Sequence, residues 1–220
     1  MPAIVTFIGW HNSGKTTLAS QVVGHLEERG FRVAVIKSTK EEGIAMDRPD
    51  TDTDSYRRAG ADSVTLLAPD QMVITMANPG LNLVSLAHRF FSDMDIVIGE
   101  GFKEARQVAK IEVCRDPAKL LRDRVTGVIA IATDCAIAGD HVFRLDESRE
   151  LADFLEKRFL GERRGSGQDR VLLLVNGNRV VLKDFVQEAL AGSVTGFLAS
   201  LKIPRPMQEI ELKIRLRDTT

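Results

Sequence analysis

The stretch Gly9–Thr17, GWHNSGKTT, matches the phosphate-binding pattern G-x-x-x-x-G-K-[ST] at every fixed position. Ahead of it, residues 3–8 (AIVTFI) form a short apolar run rich in β-branched side chains, and behind it residues 16–29 carry apolar side chains at helical spacing. A strand, a glycine loop and a helix in this order distinguish a phosphate loop from a chance match in a glycine-rich turn. The chain is therefore predicted to bind a nucleotide.

The spacing of this loop has a chemical reason. Gly9 and Gly14 allow positive φ and bring backbone N–H groups close to a pyrophosphate, which also faces the N-terminus of the new helix. We expect Lys15 to place its charge on the β- and γ-phosphate oxygens, where it also assists catalysis, and Thr16 to hold a bridging magnesium ion. The predicted nucleotide contacts in this stretch are Gly9, Asn12, Ser13, Gly14, Lys15, Thr16 and Thr17.

The composition is that of a globular protein whose partners are small molecules or other proteins. Thirty basic and 31 acidic residues among 220 leave a formal charge of −1, which argues against nucleic acid and anionic membranes as partners. No apolar run reaches the about 18 residues of a membrane span, and the N-terminus lacks a signal-peptide pattern, so a cytoplasmic location is expected. Cys114 and Cys135 are far apart, which argues against a disulfide framework and a zinc or iron–sulfur site.

Residues 31–37 (FRVAVIK) are predicted to form a second buried strand, and the polar, acidic loop that follows leaves its carboxyl end. Open α/β sheets bind ligands at that edge, so Asp47 and Asp52 are candidate magnesium ligands. The alternative is a solvated acidic loop. A short helix over residues 52–59, capped by Asp52 and Thr53, carries Arg57 as a candidate anion contact or as an exposed side chain.

Residues 63–68 and 71–77 are predicted to form a hairpin at the edge of a mainly parallel sheet, followed by an amphipathic helix over residues 81–91. Residues 95–103 (DIVIGEGFK) then form an apolar strand that delivers Glu100 at its carboxyl end. In phosphate-loop enzymes a carboxylate on the strand beside the phosphate-loop strand orients the magnesium water shell or an attacking water. Glu100 is therefore the candidate catalytic and metal-site carboxylate, whereas Asp95 lies at the opposite end of the strand.

Several segments carry a family resemblance together. They are the phosphate loop, Val35-Ile36-Lys37, the pattern D-x-P-x-x-D-T-x-x-x-R-x-A-G-A over residues 47–61, Glu100-Gly101-Phe102-Lys103, and K-I-E-V-x-R over residues 110–115. In this unbroken order, over roughly residues 1–160, they resemble the MobB family of GTP-binding adapters in molybdopterin guanine dinucleotide biosynthesis.

The resemblance implies a doubly wound nucleotide-binding fold, GTP with Mg²⁺, slow GTP hydrolysis and a homodimer. It also implies molybdopterin or its guanine dinucleotide as a further ligand, and a MobA-like molybdenum cofactor guanylyltransferase as partner. Members of the family often carry histidines directly after the position of Lys37, where this chain has Ser38-Thr39-Lys40. Lys37 and Lys40 are the available substitutes, so Lys37 is a candidate ligand contact.

Residues 125–132 (VTGVIAIA) are predicted to form a further buried strand that ends in Thr133-Asp134. A base-reading loop lies at this place in nucleotide-binding sheets, so Asp134 is a candidate acceptor for guanine or, alternatively, a simple cap. No N-K-x-D sequence is present, and the spacing leaves GTP and ATP open; the guanine preference comes from the resemblance alone. A short strand over 142–145 and a helix over 147–160 complete the first domain.

Residues 161–168 (GERRGSGQ) change composition abruptly and are interpreted as a linker. Beyond it, residues 169–220 are predicted to form a small α+β unit. Its elements are a hairpin of strands 170–175 and 179–182 around Asn176-Gly177, helices over 183–191 and 193–201, and a closing strand over 210–216. Both faces of the first strand are apolar, so this unit is expected to dock on a protein surface.

The predicted fold is α/β, a doubly wound and mainly parallel P-loop NTPase-like domain over residues 1–160 with the small α+β unit behind it. The function that combines these motifs is a GTP-dependent adapter, at most a slow GTPase. Two alternatives remain at this point. A small-molecule kinase needs an arginine-bearing lid, for which Arg122 and Arg124 are the candidates, and a metal-inserting GTPase needs cysteine or histidine clusters that the sequence does not offer.

Overall fold

The computed structural model describes residues 2–44, 50–161, 171–175, 178–203, 206–207, 210–212 and 214. The strands are β1 Ala3–Ile8, β2 Val33–Lys37, β3 Ser63–Leu67, β4 Met72–Met76, β5 Ile96–Glu100, β6 Ala109–Val113, β7 Val128–Ala132, β8 Val142–Phe143, β9 Leu173–Val175 and β10 Asn178–Val180. The helices are α1 Lys15–Glu28, α2 Asp52–Arg58, α3 Leu83–Phe90, α4 Ser148–Leu155 and α5 Asp184–Ala199. A 3-10 turn lies at Pro117–Lys119, and a π-helical stretch at Glu156–Leu160 continues α4.

Six of the described strands form one parallel sheet in the order β2-β5-β1-β6-β7-β8. The phosphate-loop strand β1 lies inside the sheet, between β5 and β6, so the segments that leave all three strands meet at one edge. Helices α1 and α4 pack on one face, and α3 covers part of the other. The predicted α/β fold with a doubly wound, mainly parallel sheet is confirmed.

The principal core lies between this sheet and the pair α1 and α4. Leu18, Val22 and Leu26 recur on one face of α1 and are buried against β1 and Leu151 of α4. The smaller core on the opposite face is built around Ala87 of α3. Together the two cores fix the start of α1, and with it the phosphate loop, on the sheet.

Strand β6 was missed by the sequence patterns because its centre carries two charged residues, Lys110 and Glu112, which are both buried. The Lys110 ammonium donates to the backbone carbonyls of Ala105 at 2.5 Å, Thr126 at 2.8 Å and Val108 at 3.3 Å. Burial lowers the pKa of Lys110, and the charge of the Glu104 carboxylate opposes this shift. A charged strand can therefore occupy the centre of the sheet because neighbouring loops satisfy its polar groups.

The predicted hairpin of residues 63–68 and 71–77 forms, but its placement at the edge of the main sheet was wrong. Strands β3 and β4 pair with each other in a separate two-stranded sheet that packs beside α2. A local turn determines which two strands pair, whereas nothing in a short alternating run determines which sheet they join. The exposed apolar side chains of this hairpin are Leu66, Leu67, Met72, Val73, Ile74 and Met76.

Three further features of the secondary structure differ from the predictions. The N-cap of α2 is Thr51, whose hydroxyl accepts from the Asp54 N–H, rather than Asp52 and Thr53. The two predicted C-terminal helices form one helix, α5, which continues through Gly192. A glycine inside a helix costs about 1 kcal/mol relative to alanine, which is too little to end the helix. The closing strand over 210–216 was wrong for Ile210, Glu211, Leu212 and Ile214, the residues of that segment that the structure describes.

The C-terminal unit contains the antiparallel pair β9 and β10, with β10 in contact with α3 of the first domain. Gln187 of α5 joins helix and hairpin, since its side chain accepts from the Val171 N–H and donates to the Leu182 carbonyl. The Asn176-Gly177 turn and linker residues 162–168 lie outside the described residues. Among the helices in the described ranges, none is long and apolar enough to cross a membrane.

Candidate nucleotide-binding site

The phosphate loop has the backbone that its glycines predict. Gly9 has φ +152° and Gly14 has φ +95°, values that L side chains rarely adopt. A Cβ on Gly9 would lie 2.3 Å from the Val113 carbonyl oxygen of β6, so glycine is required there for space as well as for conformation. Ser13 is buried in the loop, whereas Asn12 and Thr17 are exposed. The loop lies against the end of β6 on one side and is open to solvent on the other.

Lys15 folds back over the loop. Its ammonium donates to the Trp10 carbonyl at 2.6 Å and lies 3.5 Å from the Ser13 hydroxyl. Burial lowers the pKa of Lys15, the nearby Glu100 carboxylate opposes this shift, and the Lys37 ammonium adds to it. The loop therefore holds a positive charge that is less well solvated than that of an ordinary lysine and is available to an anion.

We expect triphosphate affinity to fall with rising pH, starting below the pKa of 10.5 of an ordinary lysine. A bound polyanion raises the pKa of Lys15, so binding is strongest below the pKa of the free protein and is lost as pH rises from that value to the higher pKa of the complex. Triphosphate titrations followed by the emission of Trp10, the single tryptophan, can measure this. A Lys15→Arg variant is the control, because its side chain stays charged and its pH profile therefore reports only the titration of the ligand. Parallel pH profiles for the two proteins would contradict the expectation.

Glu100 ends β5, the strand paired with β1, and meets the first turn of α1. The Thr16 hydroxyl donates to Glu100 Oε1 at 2.7 Å, and Lys37 Nζ at the end of β2 lies 3.5 Å from the same oxygen. A hydroxyl and a carboxylate are hard oxygen ligands, which suit Mg²⁺, and they lie side by side next to the phosphate loop. The residues present therefore fit a magnesium ion that also takes phosphate oxygens.

The acidic segment contributes less than its sequence predicts. Asp47 lies outside the described residues, and Asp52 is exposed at the first residue of α2. Within the described ranges, no hydrogen bond or ion pair joins Asp52 to Glu100 or Thr16, and no three acidic, histidine or cysteine side chains group as a metal site. Roles for Asp47 and Asp52 at the metal stay predictions.

The arginines of α2 neutralise a buried carboxylate within the same helix. Arg57 and Arg58 each lie 2.7 Å from Asp54, which is nearly inaccessible to solvent. The Asp50 N–H and then these guanidinium groups lower the pKa of Asp54. The predicted anion for Arg57 is thus supplied by the protein, and a ligand contact by Arg57 stays a prediction.

Asp134 follows β7 as predicted, and one of its carboxylate oxygens accepts from the Leu145 N–H at 3.2 Å. This contact is that of a cap between the ends of β7 and β8. A base-reading role for Asp134 stays a prediction.

Sequence reasoning assigned no role to two side chains beside the phosphate loop, Arg115 and Trp10, although both lie in the quoted motifs. Arg115, two residues beyond β6, donates through Nε to the Ser13 carbonyl at 3.2 Å. The Trp10 indole N–H donates to the Lys119 carbonyl at 2.7 Å, and Lys103 Nζ lies 5.7 Å from the centroid of the Trp10 ring. Arg115 would have been found from its place after a strand adjacent to β1, had β6 been recognised.

A glycine loop that follows an inner strand of a parallel sheet, with a carboxylate from the neighbouring strand beside its threonine, defines a P-loop NTPase-like fold. Residues 4–134 match the model of the family described as MobB, molybdopterin guanine dinucleotide synthesis protein B. The chain belongs to the MobB family.

Individual relatives agree with this assignment. The chain is 34% identical over 166 residues to the molybdopterin-guanine dinucleotide biosynthesis adapter protein of Escherichia coli K12, covering 70% of this chain and 92% of the relative. It is 32% identical over 153 residues to the adapter protein of the same description from Haemophilus influenzae, covering 67% and 84%. A crystal structure of molybdopterin-guanine biosynthesis protein B superposes with a TM-score of 0.58 at 30% identity, covering 70% of this chain and 98% of that one.

Proposed function

We propose that the chain is a cytoplasmic GTP-binding adapter in the biosynthesis of the molybdopterin guanine dinucleotide form of the molybdenum cofactor, and that it hydrolyses GTP slowly with Mg²⁺. The name of the Escherichia coli relative supports the adapter role. The single observation that carries the nucleotide chemistry is the 2.7 Å contact between Thr16 and Glu100, beside Lys15 at the mouth of the phosphate loop.

Each side chain of this site has a distinct role in the proposal. Lys15 contacts the β- and γ-phosphates, and the backbone N–H groups of the loop cradle the pyrophosphate. Thr16 and Glu100 are the residues that hold Mg²⁺, which neutralises phosphate charge when bound. Glu100 also orients the attacking water. The intrinsic rate expected for such a site is on the order of 10⁻⁴ per second without an arginine finger, and on the order of 10⁻² per second with an arginine supplied in cis.

Molybdopterin or its guanine dinucleotide is the second ligand in this proposal, and a MobA-like guanylyltransferase is the protein partner. Lys37 supports the second ligand. It ends β2 at the carboxyl edge of the sheet, and Glu100 lies between its ammonium and the phosphate loop. It is there able to contact a second anionic group. Asp134 as reader of the guanine base belongs to the same proposal.

We propose that the protein is a homodimer and that the β3–β4 hairpin forms its interface. A lone two-stranded hairpin is marginally stable in water, and this one leaves large apolar side chains in solvent, with Leu67 76% exposed. Both of its outer edges lack a strand partner within the described chain. A second copy of the chain carries an identical hairpin. Two hairpins related by a two-fold axis can pair edge to edge, and each can cover an apolar face of the other.

Residues 169–220 are proposed to be an interaction unit that docks on a protein. Phe185 and Phe197 of α5 are each 68% exposed, and the helix carries only two charged residues, Asp184 and Glu188. Helix α5 thus presents apolar area that its own hairpin does not cover. The unit carries no phosphate-binding sequence, which supports a place away from the nucleotide.

Truncation after Leu160 should leave GTP affinity within about threefold, because Leu160 closes the core and every residue of the nucleotide site precedes it. The same truncation should change the association state or the binding of the guanylyltransferase. Titration calorimetry and light scattering on the two proteins measure these effects. A truncated protein of unchanged association that loses GTP binding would instead make the unit a lid over the nucleotide.

The adapter role is tested by reconstitution. Purified guanylyltransferase, molybdopterin, GTP and Mg²⁺ are combined with and without this protein, and formation of the guanine dinucleotide is followed over time. The wild-type chain should accelerate formation, and the Lys15→Ala variant should not. Equal acceleration by both proteins would separate the adapter role from nucleotide binding, and no acceleration by either would contradict it.

A further inference from the structure

The segment that follows β6, residues 114–124 (the β6 loop), covers the closed side of the phosphate loop. Arg115 Nε donates to the Ser13 carbonyl, and a terminal nitrogen of the same guanidinium lies 3.4 Å from where a Cβ on Gly14 would stand. A second bond runs the other way, from the Trp10 indole N–H to the Lys119 carbonyl. The two loops are thus joined at both ends of the phosphate-binding turn.

The β6 loop is itself anchored in the sheet. Glu112, 1% exposed on β6, accepts from the backbone N–H groups of Leu121 at 2.5 Å and Arg122 at 2.9 Å. Near the start of the loop, Asp116 accepts from the Ala118 N–H and pairs with Lys119 at 3.2 Å. A buried carboxylate with two backbone donors is costly to release, so the loop holds a defined position relative to β1.

The bond from Arg115 has a direct consequence for the phosphate site. The Ser13–Gly14 peptide is planar and trans, so its carbonyl and its N–H point in opposite directions. With the carbonyl fixed toward Arg115, the Gly14 N–H is directed away from Arg115, to the side where the loop's N–H groups cradle phosphate. Gly14 also begins α1, whose N-terminal partial charge adds to the same site.

The charge of Arg115 is not neutralised by a neighbouring carboxylate. No salt bridge to Arg115 occurs in the part of the chain that the structure describes, whereas Lys37 and Arg57 each have an acidic partner. The guanidinium therefore adds positive potential directly behind the anion-binding turn, at the same time as it orients the peptide.

We propose that Arg115 is a positioning residue for triphosphate binding: from the anchored β6 loop it fixes the Ser13–Gly14 peptide so that the phosphate loop is preorganised before ligand arrives. This inference rests on the proposed function, since it requires that the loop bind a triphosphate. It adds a residue that acts through the backbone, without contact to the nucleotide base.

The test compares wild type, Arg115→Met, Arg115→Lys and Arg32→Met for affinity to GTP and to inorganic triphosphate. Arg32 is the matched control, because it is an exposed arginine directly before β2, at the edge of the sheet opposite the phosphate loop. Arg115→Met should weaken both ligands by about tenfold or more, as expected for loss of a charge-assisted hydrogen bond. Arg115→Lys, which keeps the charge, should recover part of that loss, and Arg32→Met should stay within about twofold.

Inorganic triphosphate separates positioning from a general structural effect, because it reports the phosphate subsite without the base. Unchanged affinity for both ligands in Arg115→Met would overturn the proposal, and so would a loss confined to GTP. If the wild-type protein binds neither ligand, the proposed function itself is refuted. If the wild type binds both ligands and Arg115→Met binds them equally well, only the role of Arg115 is refuted. Thermal unfolding of each variant, expected within a few degrees of wild type, verifies that an exposed side chain was replaced without loss of the fold.

Discussion

Lys15→Ala should abolish tight triphosphate binding and leave the fold intact. Among the described residues, the Lys15 ammonium hydrogen-bonds only within the phosphate loop, to the Trp10 carbonyl and the Ser13 hydroxyl, so its removal takes no hydrogen-bond partner from a buried carboxylate there. Its charge is the one full positive charge that the motif places on the β- and γ-phosphate oxygens. Charge-assisted hydrogen bonds contribute about 1.5–3 kcal/mol each, so the loss of affinity should be about a hundredfold or more.

Titration calorimetry with GTP measures this loss, and thermal unfolding measures the fold. Lys183→Ala is the matched control, since Lys183 is an exposed lysine in the C-terminal unit, directly before α5. Its removal changes the net charge by the same amount and should leave the affinity within about twofold. Equal affinity in wild type and Lys15→Ala would refute the phosphate-loop assignment.

Glu100→Gln should keep GTP affinity within a few-fold and slow hydrolysis by about ten- to a hundredfold. The amide oxygen of glutamine can still accept from the Thr16 hydroxyl, so the start of α1 keeps its contact with the end of β5. What is lost is the negative charge that orients the metal's water shell or the attacking water.

Single-turnover hydrolysis with saturating Mg²⁺ separates this effect from binding. Glu104→Gln serves as control, because Glu104 is an exposed carboxylate four residues further along the chain, outside the contact with Thr16. A Glu100→Gln protein that hydrolyses GTP as fast as wild type would leave Glu100 as a structural partner of Thr16 and Lys37.

The parts of the fold that local pattern determines were predictable. Strand β1, the phosphate loop and α1 follow from one apolar run, two glycines with positive φ and a helical repeat. Glu100 was placed at the carboxyl end of the strand next to β1 because parallel strands bring equivalent ends together, and the structure has β5 paired with β1.

What could not be predicted depends on contacts between distant residues. β6 has Lys110 and Glu112 at its centre, and only the carbonyl and N–H groups of the folded loops around it make such a strand possible. For the same reason no role was predicted for Arg115, because its place beside Ser13 depends on the pairing of β6 with β1. The single helix α5 was divided in two because Gly192 is a helix-ending signal in isolation and a tolerated residue inside a helix.

The central claim is that this P-loop binds GTP with Mg²⁺, and one set of titrations tests it most directly: GTP and ATP, each with and without Mg²⁺, on wild type and on Thr16→Ala. We expect GTP to bind more tightly than ATP, Mg²⁺ to strengthen GTP binding to wild type, and Thr16→Ala to lose mainly that magnesium-dependent part, since its hydroxyl stands beside Glu100. ATP binding as tight as GTP, or affinity independent of Mg²⁺ in wild type, would contradict the account.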